Sequence, residues 1–191
     1  MTERIKTLFV DNGTESIHDY QNLFNRCDFT IVTISDLTAF EGQGFGLIIL
    51  SDGHLVNVKN NLNELELVMT TSIPVIGICY GFQLLSVAYG AKICELRQKR
   101  EGIVSVQTKS EHPILNGITI FNAIEKHRFT VSNIDNYPDL ICHAISIDGC
   151  EIIEVKDKRQ FGFQFHPEIQ LNENQGSIIV GRLINHWFPE Q

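Results

Sequence analysis

Between residues 75 and 85 an apolar run, Val75-Ile76-Gly77-Ile78, passes directly into Cys79-Tyr80-Gly81-Phe82-Gln83 and then into a helical pattern. A strand that turns sharply into a helix has little room at the turn, so the residues two before and two after must be small. Gly77 and Gly81 meet that need around Cys79. The pattern predicts a nucleophile elbow, which lifts the Cys79 side chain clear of a sheet and sets its thiol at a helix N-terminus. There the positive end of the peptide dipoles and the free backbone N–H groups favour thiolate over thiol. The N–H of Tyr80 is expected to point at the same spot, where a donor suits the oxyanion of an acyl-transfer intermediate.

An elbow requires a sheet, and the first half of the chain supplies one. Residues 7–10 form an apolar run ending at Asp11-Asn12-Gly13, a strand leaving through a tight turn. Residues 16–24 suit a helix, 29–34 are rich in β-branched residues, and 47–50 are wholly apolar, as buried parallel strands are. Helical spacing over 62–69 precedes the strand 74–78, and the helix opened by Tyr80 runs to Gly90. The second half carries short strand-like runs at 103–108, 118–121, 141–147, 151–155 and 161–165, which predicts a mixed sheet. Residues 174–187 read as an amphipathic helix with Ile178, Ile179, Leu183, Ile184 and Trp187 on one stripe. The expected fold is α/β and flavodoxin-like: a mixed, mostly parallel sheet flanked by helices, with the site at the carboxyl ends of the central strands. The 191 residues fit one domain, 1–191, without repeat or linker.

Charge excludes one class of partner. At a net charge of -8 the chain lacks the clustered cations that bind nucleic acid, and only 92–100 is locally basic, which reads as a solvated edge. No run is long and apolar enough for a bilayer and the start carries no signal-peptide pattern, so no membrane and a cytoplasmic location are expected. The five cysteines include no C-x-x-C pair, so neither a disulfide framework nor a zinc knuckle is expected. Cys27, Cys94, Cys142 and Cys150 read as small buried hydrophobes. No motif calls for a metal or a cofactor.

A cysteine nucleophile needs a base to take its proton and return one to the leaving group, and the base needs a third group to hold its ring. Phe165-His166-Pro167-Glu168 offers both. On an extended segment residues two apart project to one side, so Glu168 can reach the His166 imidazole, and Pro167 stiffens the pair. His18, His112, His143 and His186 read as surface or satisfied polar residues, and Phe163 and Phe165 as core.

The pattern Gly77-x-Cys79-x-Gly81-x-Gln83, with Gln164-Phe165-His166-Pro167-Glu168 downstream, resembles the class I (triad) glutamine amidotransferases, and the resemblance covers nearly the whole chain. It implies that Cys79 attacks the side-chain amide of L-glutamine, releases ammonia and leaves a glutamyl thioester for water to hydrolyse, with His166 and Glu168 completing the triad. It also implies a second oxyanion donor from Gly53 in Ser51-Asp52-Gly53-His54, where His54 replaces the usual proline and Leu55 follows where glycine is frequent. Gln83 matches a substrate-holding glutamine, and Lys126-His127-Arg128-Phe129 matches the stretch whose backbone grips the glutamine α-groups, so Arg128 and Phe129 are substrate candidates. The resemblance places His54 and His127 in loops beside the site, where either could meet substrate or partner. Asp11-Asn12-Gly13, Tyr80 and Arg100-Glu101-Gly102 look like the GMP synthase branch, which implies a separate synthase partner of the ATP-pyrophosphatase type. His127-Arg128-Phe129-Thr130 is closer to the CTP synthase glutaminase. A freestanding γ-glutamyl hydrolase and a catalytically silent binding module are the alternatives.

Overall fold

A computed structural model of the chain describes residues 4–15, 17–40, 44–53, 61–169 and 173–190. Its strands are β1 (Ile5–Asn12), β2 (Cys27–Thr33), β3 (Leu47–Gly53), β4 (Val75–Ile78), β5 (Lys92–Thr108), β6 (Ile120–Ser132), β7 (Leu140–Ser146), β8 (Gly149–Val155) and β9 (Gln160–Phe163). The helices are α1 (Ile17–Leu23), α2 (Leu62–Thr70), α3 (Tyr80–Ala88) and α4 (Gly176–Trp187). Among the described residues all nine strands form one sheet in the order β2-β1-β3-β4-β9-β8-β7-β5-β6. The pairings from β2 to β9 are parallel and those from β9 to β6 antiparallel. The fold is thus α/β, a mixed sheet flanked by helices.

Strand alternation sorts the core into two layers. Phe9, Ile49 and Ile76 face Tyr20 and Phe24, from α1 and its end, and Ile179 and Leu183 of α4. Leu8, Val10, Ile48 and Leu50 face the other way, onto Val68 of α2 and Phe82 and Leu85 of α3. Each such fully buried side chain contributes about 1.5–3 kcal/mol of transfer free energy. Because β4 lies at the centre with both faces covered, the turn at its carboxyl end is held from all sides.

Several elements differ from their expected form. Residues 92–100, read as a solvated edge, are the exposed first half of the long strand β5. The strand expected at 118–121 continues to Ser132, so His127 stands on β6 and not in a loop. Buried Glu125 and His127 break the apolar alternation there, and they hydrogen-bond one another. On α4 the buried stripe is Ile179, Val180, Leu183 and Ile184, whereas Ile178 is 53% exposed, since one residue's step of about 100° turns it away from the sheet. Cys94 is exposed on β5, unlike the other four cysteines, because the strand's edge leaves it uncovered. Ser16, His54 and Leu55 lie outside the described residues.

Candidate active site

Cys79 sits between β4 and α3 with φ 49° and ψ -94°, a positive-φ conformation that is costly for a residue with a side chain. Packing enforces it. A β-carbon on Gly77 would come closer than 3.0 Å to the main chain of Gly81, and one on Gly81 would meet the main chain of Leu50. Cys79 N–H donates to the Phe163 carbonyl (2.7 Å), and its own carbonyl accepts from Gln83 N–H (3.1 Å), tying the elbow to β9 and to the helix. Tyr80 opens α3, so its N–H has no acceptor within the helix.

His166 and Glu168 follow the end of β9. The imidazole Nδ1 and Glu168 Oε1 are 2.7 Å apart, both residues buried, and they meet across a turn at Pro167 and Glu168 rather than along an extended strand. Main-chain contacts fix the segment: His166 N–H donates to the Ile124 carbonyl (2.7 Å), and the Asn174 amide donates to the carbonyls of His166 (2.9 Å) and Ile169 (2.7 Å). The second ring nitrogen, Nε2, is buried without a hydrogen-bond partner of good geometry. Cys79 and His166 line one cavity. Burial disfavours the charged ring, but a thiolate at Cys79 and the Glu168 carboxylate outweigh it and raise the His166 pKa well above the ordinary 6.5. His166 therefore keeps its proton to higher pH than an ordinary histidine.

The strand β3 delivers Gly53 to the same place. A β-carbon on Gly53 would collide with the Asn12 main chain, so no other residue fits this close approach. Its neighbour Asp52 is anchored twice by one hydroxyl: Asp52 N–H donates to Tyr20 Oη (2.9 Å), and Tyr20 O–H donates to Asp52 Oδ1 (2.8 Å). Gln83 turns its amide to the Phe129 carbonyl (2.9 Å) and to Gln164 Oε1 (3.3 Å), while Gln164 Nε2 lies 3.8 Å from Cys79 Sγ. The Arg128 guanidinium is exposed and drawn to Glu95 (2.6 Å).

One cavity of about 290 Å³ gathers Cys79, His166, Glu168, Gly53, Tyr80, Gln83, Arg128 and Phe129, and His127 also lines it. That is at the small end of ligand pockets. Asp52, His166 and Glu168 bring one possible metal-ligand atom each within 4.8 Å of one another, as do Glu125, His127 and Asp148. In the first group His166 and Glu168 already bind each other, and in the second Arg100 pairs with Asp148. Sequence reasoning missed Tyr20 and Asn174, and gave Gln164, though part of the motif with His166 and Glu168, no role of its own.

The family model of class-I glutamine amidotransferases matches residues 8–185. The chain belongs to that family. Among relatives of this amidotransferase, a glutamine-hydrolyzing GMP synthase subunit of Methanococcus maripaludis strain C5 is 29% identical over 178 residues, covering 91% of this chain and 92% of the relative. The Methanococcus vannielii protein of the same name is 31% identical over 134 residues, 70% of this chain and 69% of its own length. In fold, the amidotransferase is similar to a proposed GMP synthase subunit of Thermoplasma acidophilum, with a TM-score of 0.78 at 23% identity over 96% of this chain and 94% of that one. It is an enzyme of the glutaminase type. No helix among the described residues is long and apolar enough to cross a membrane.

Proposed function

We propose that this amidotransferase hydrolyses the side-chain amide of L-glutamine on Cys79 and delivers the ammonia to a separate synthase subunit of the GMP synthase kind, in the cytoplasm. The observation that carries the chemistry is the strained Cys79 at the start of α3, sharing a cavity with a buried His166–Glu168 pair at 2.7 Å. The Cys79 thiolate attacks the amide carbon, and the N–H groups of Gly53 and Tyr80 receive the developing oxyanion. His166, held by Glu168, gives its proton to the departing ammonia and then takes one from the water that opens the thioester. Gln83, Arg128 and Phe129 form the wall that receives the substrate's far end. The synthase partner is supported by relatives whose names make them one subunit of a GMP synthase.

The test is ammonia release from L-glutamine by the chain and by Cys79→Ala, each with and without the ATP-pyrophosphatase subunit of GMP synthase. Release that requires Cys79 and rises with that subunit is expected. Release indifferent to the subunit would point to another acceptor or to a γ-glutamyl hydrolase. No release together with a Cys79 that resists alkylation would leave a binding module.

A further inference from the structure

Behind the cavity wall, β5, β6 and β8 and the turn before β8 bury a cluster of ionisable groups that the hydrolysis above does not use. His127 is 4% exposed and both its ring nitrogens are engaged: Nδ1 lies 3.0 Å from the Phe129 carbonyl and Nε2 lies 3.0 Å from Glu125 Oε2. A carbonyl only accepts, so Nδ1 carries a proton. Glu125 and Glu151 are both fully buried, and Glu125 Oε1 and Glu151 Oε2 each lack a hydrogen-bond partner of good geometry. Burial, and then the charge of Glu125, push the Glu151 carboxyl well above the carboxylate range, so Glu151 holds a proton that it can share with Glu125. Ser146 O–H donates to the other oxygen, Glu151 Oε1 (2.7 Å). Arg100 lies 4.0 Å from Glu125 Oε2 and grips Asp148 with both Nε and Nη2.

The Phe129 carbonyl that His127 holds is also the acceptor for the Gln83 amide, and Gln83 leads through Gln164 toward the Cys79 sulfur.

We propose that His127 is a positioning residue for the amidotransferase reaction: clamped between Glu125 and the Phe129 carbonyl, it holds the β6 wall of the glutamine pocket in the shape that binds substrate. The inference rests on the reading of this cavity as the glutamine pocket. His127 does not exchange protons with the reacting atoms. It acts on affinity.

The test follows alkylation of Cys79 by diazo-oxo-norleucine on the full chain, read by intact mass, so that half-saturating concentration and limiting rate separate binding from chemistry. His127→Gln keeps a donor toward Glu125 but loses the one to Phe129. Its half-saturating concentration should rise about tenfold, the worth of one hydrogen bond, with the limiting rate nearly unchanged. His127→Asn puts an amide nitrogen where Nδ1 was and should recover most of the affinity. Nitrogen NMR of the wild-type histidines should show the His127 ring protonated at Nδ1, a readout independent of any variant. Unchanged affinity in folded His127→Gln, or no recovery in His127→Asn, would overturn the inference. Labelling of Cys79 by iodoacetamide but not by the glutamine analogue would instead overturn the glutamine reading on which it stands.

Discussion

Gly77 and Gly81 lie backbone against backbone, so closely that a β-carbon on Gly77 would fall within 3.0 Å of the Gly81 carbonyl and the Phe82 nitrogen. These are main-chain atoms of α3 and cannot step aside as a flexible side chain could. Gly77→Ala should therefore either shift α3 or twist β4, at a cost of roughly 3 kcal/mol or more, at the upper end for overpacking. Urea unfolding should show the fall in midpoint, and ammonia release should fall further than stability because Cys79 moves with the helix.

Glu168 and His166 give a pH prediction. A pKa raised above the ordinary 6.5 means that the folded protein keeps the imidazolium to higher pH and loses it only as pH rises through the raised value. Glu168→Gln removes one of the two groups that raise it. The alkaline limit of activity should move to lower pH, and the maximal rate should fall roughly a hundredfold, the usual size for a disabled acid–base pair. A pH–rate profile in parallel with the wild type measures both.

Tyr20→Phe should loosen the strand end that carries Gly53. The hydroxyl is buried and serves Asp52 as donor and acceptor at once, so its loss leaves the Asp52 N–H without its partner. A stability loss of about 1–3 kcal/mol is expected. Ammonia release should drop more than alkylation of Cys79 by iodoacetamide, because Gly53, proposed as an oxyanion donor, is affected and the thiol is not.

Glu64 on α2 is a buried carboxyl whose oxygens lack hydrogen-bond partners of good geometry. Burial raises its pKa from 4.5 to about 7, against the weaker opposing pull of Asn12 and Asn61. The folded state thus binds the proton more tightly than the unfolded chain, and stability falls as pH rises from 4.5 to about 7. The full penalty is about 3 kcal/mol above that range. Glu64→Gln should raise the melting temperature at alkaline pH and leave it nearly unchanged at acid pH, as calorimetry across that window would show.

Much of the site was legible locally. The elbow depends on glycine spacing within five residues, and the His166–Glu168 pair on a separation of two, so both belong to the chain itself whatever packs around them. The turn at Pro167 and Glu168 brings that pair together as well as an extended strand would have. His127 was harder. Its strand is disguised by buried polar residues, and the cluster behind it, Glu125, Arg100, Asp148 and Glu151, comes from three strands and a turn. Arg128 matches a substrate-gripping stretch in sequence, yet its guanidinium reaches away to Glu95.

The amino-acid sequence by itself determined the parallel half of the sheet, the strained cysteine and its histidine–glutamate pair, because apolar periodicity and steric room act over a few residues. Tertiary structure decided which side chains surround them. The anchoring of Asp52 by Tyr20, 32 positions away, and the meeting of Gln83 with the Phe129 carbonyl, 46 positions away, depend on strand order and register. Pairing of that kind is set by how whole faces bury against one another, and no local spacing encodes it.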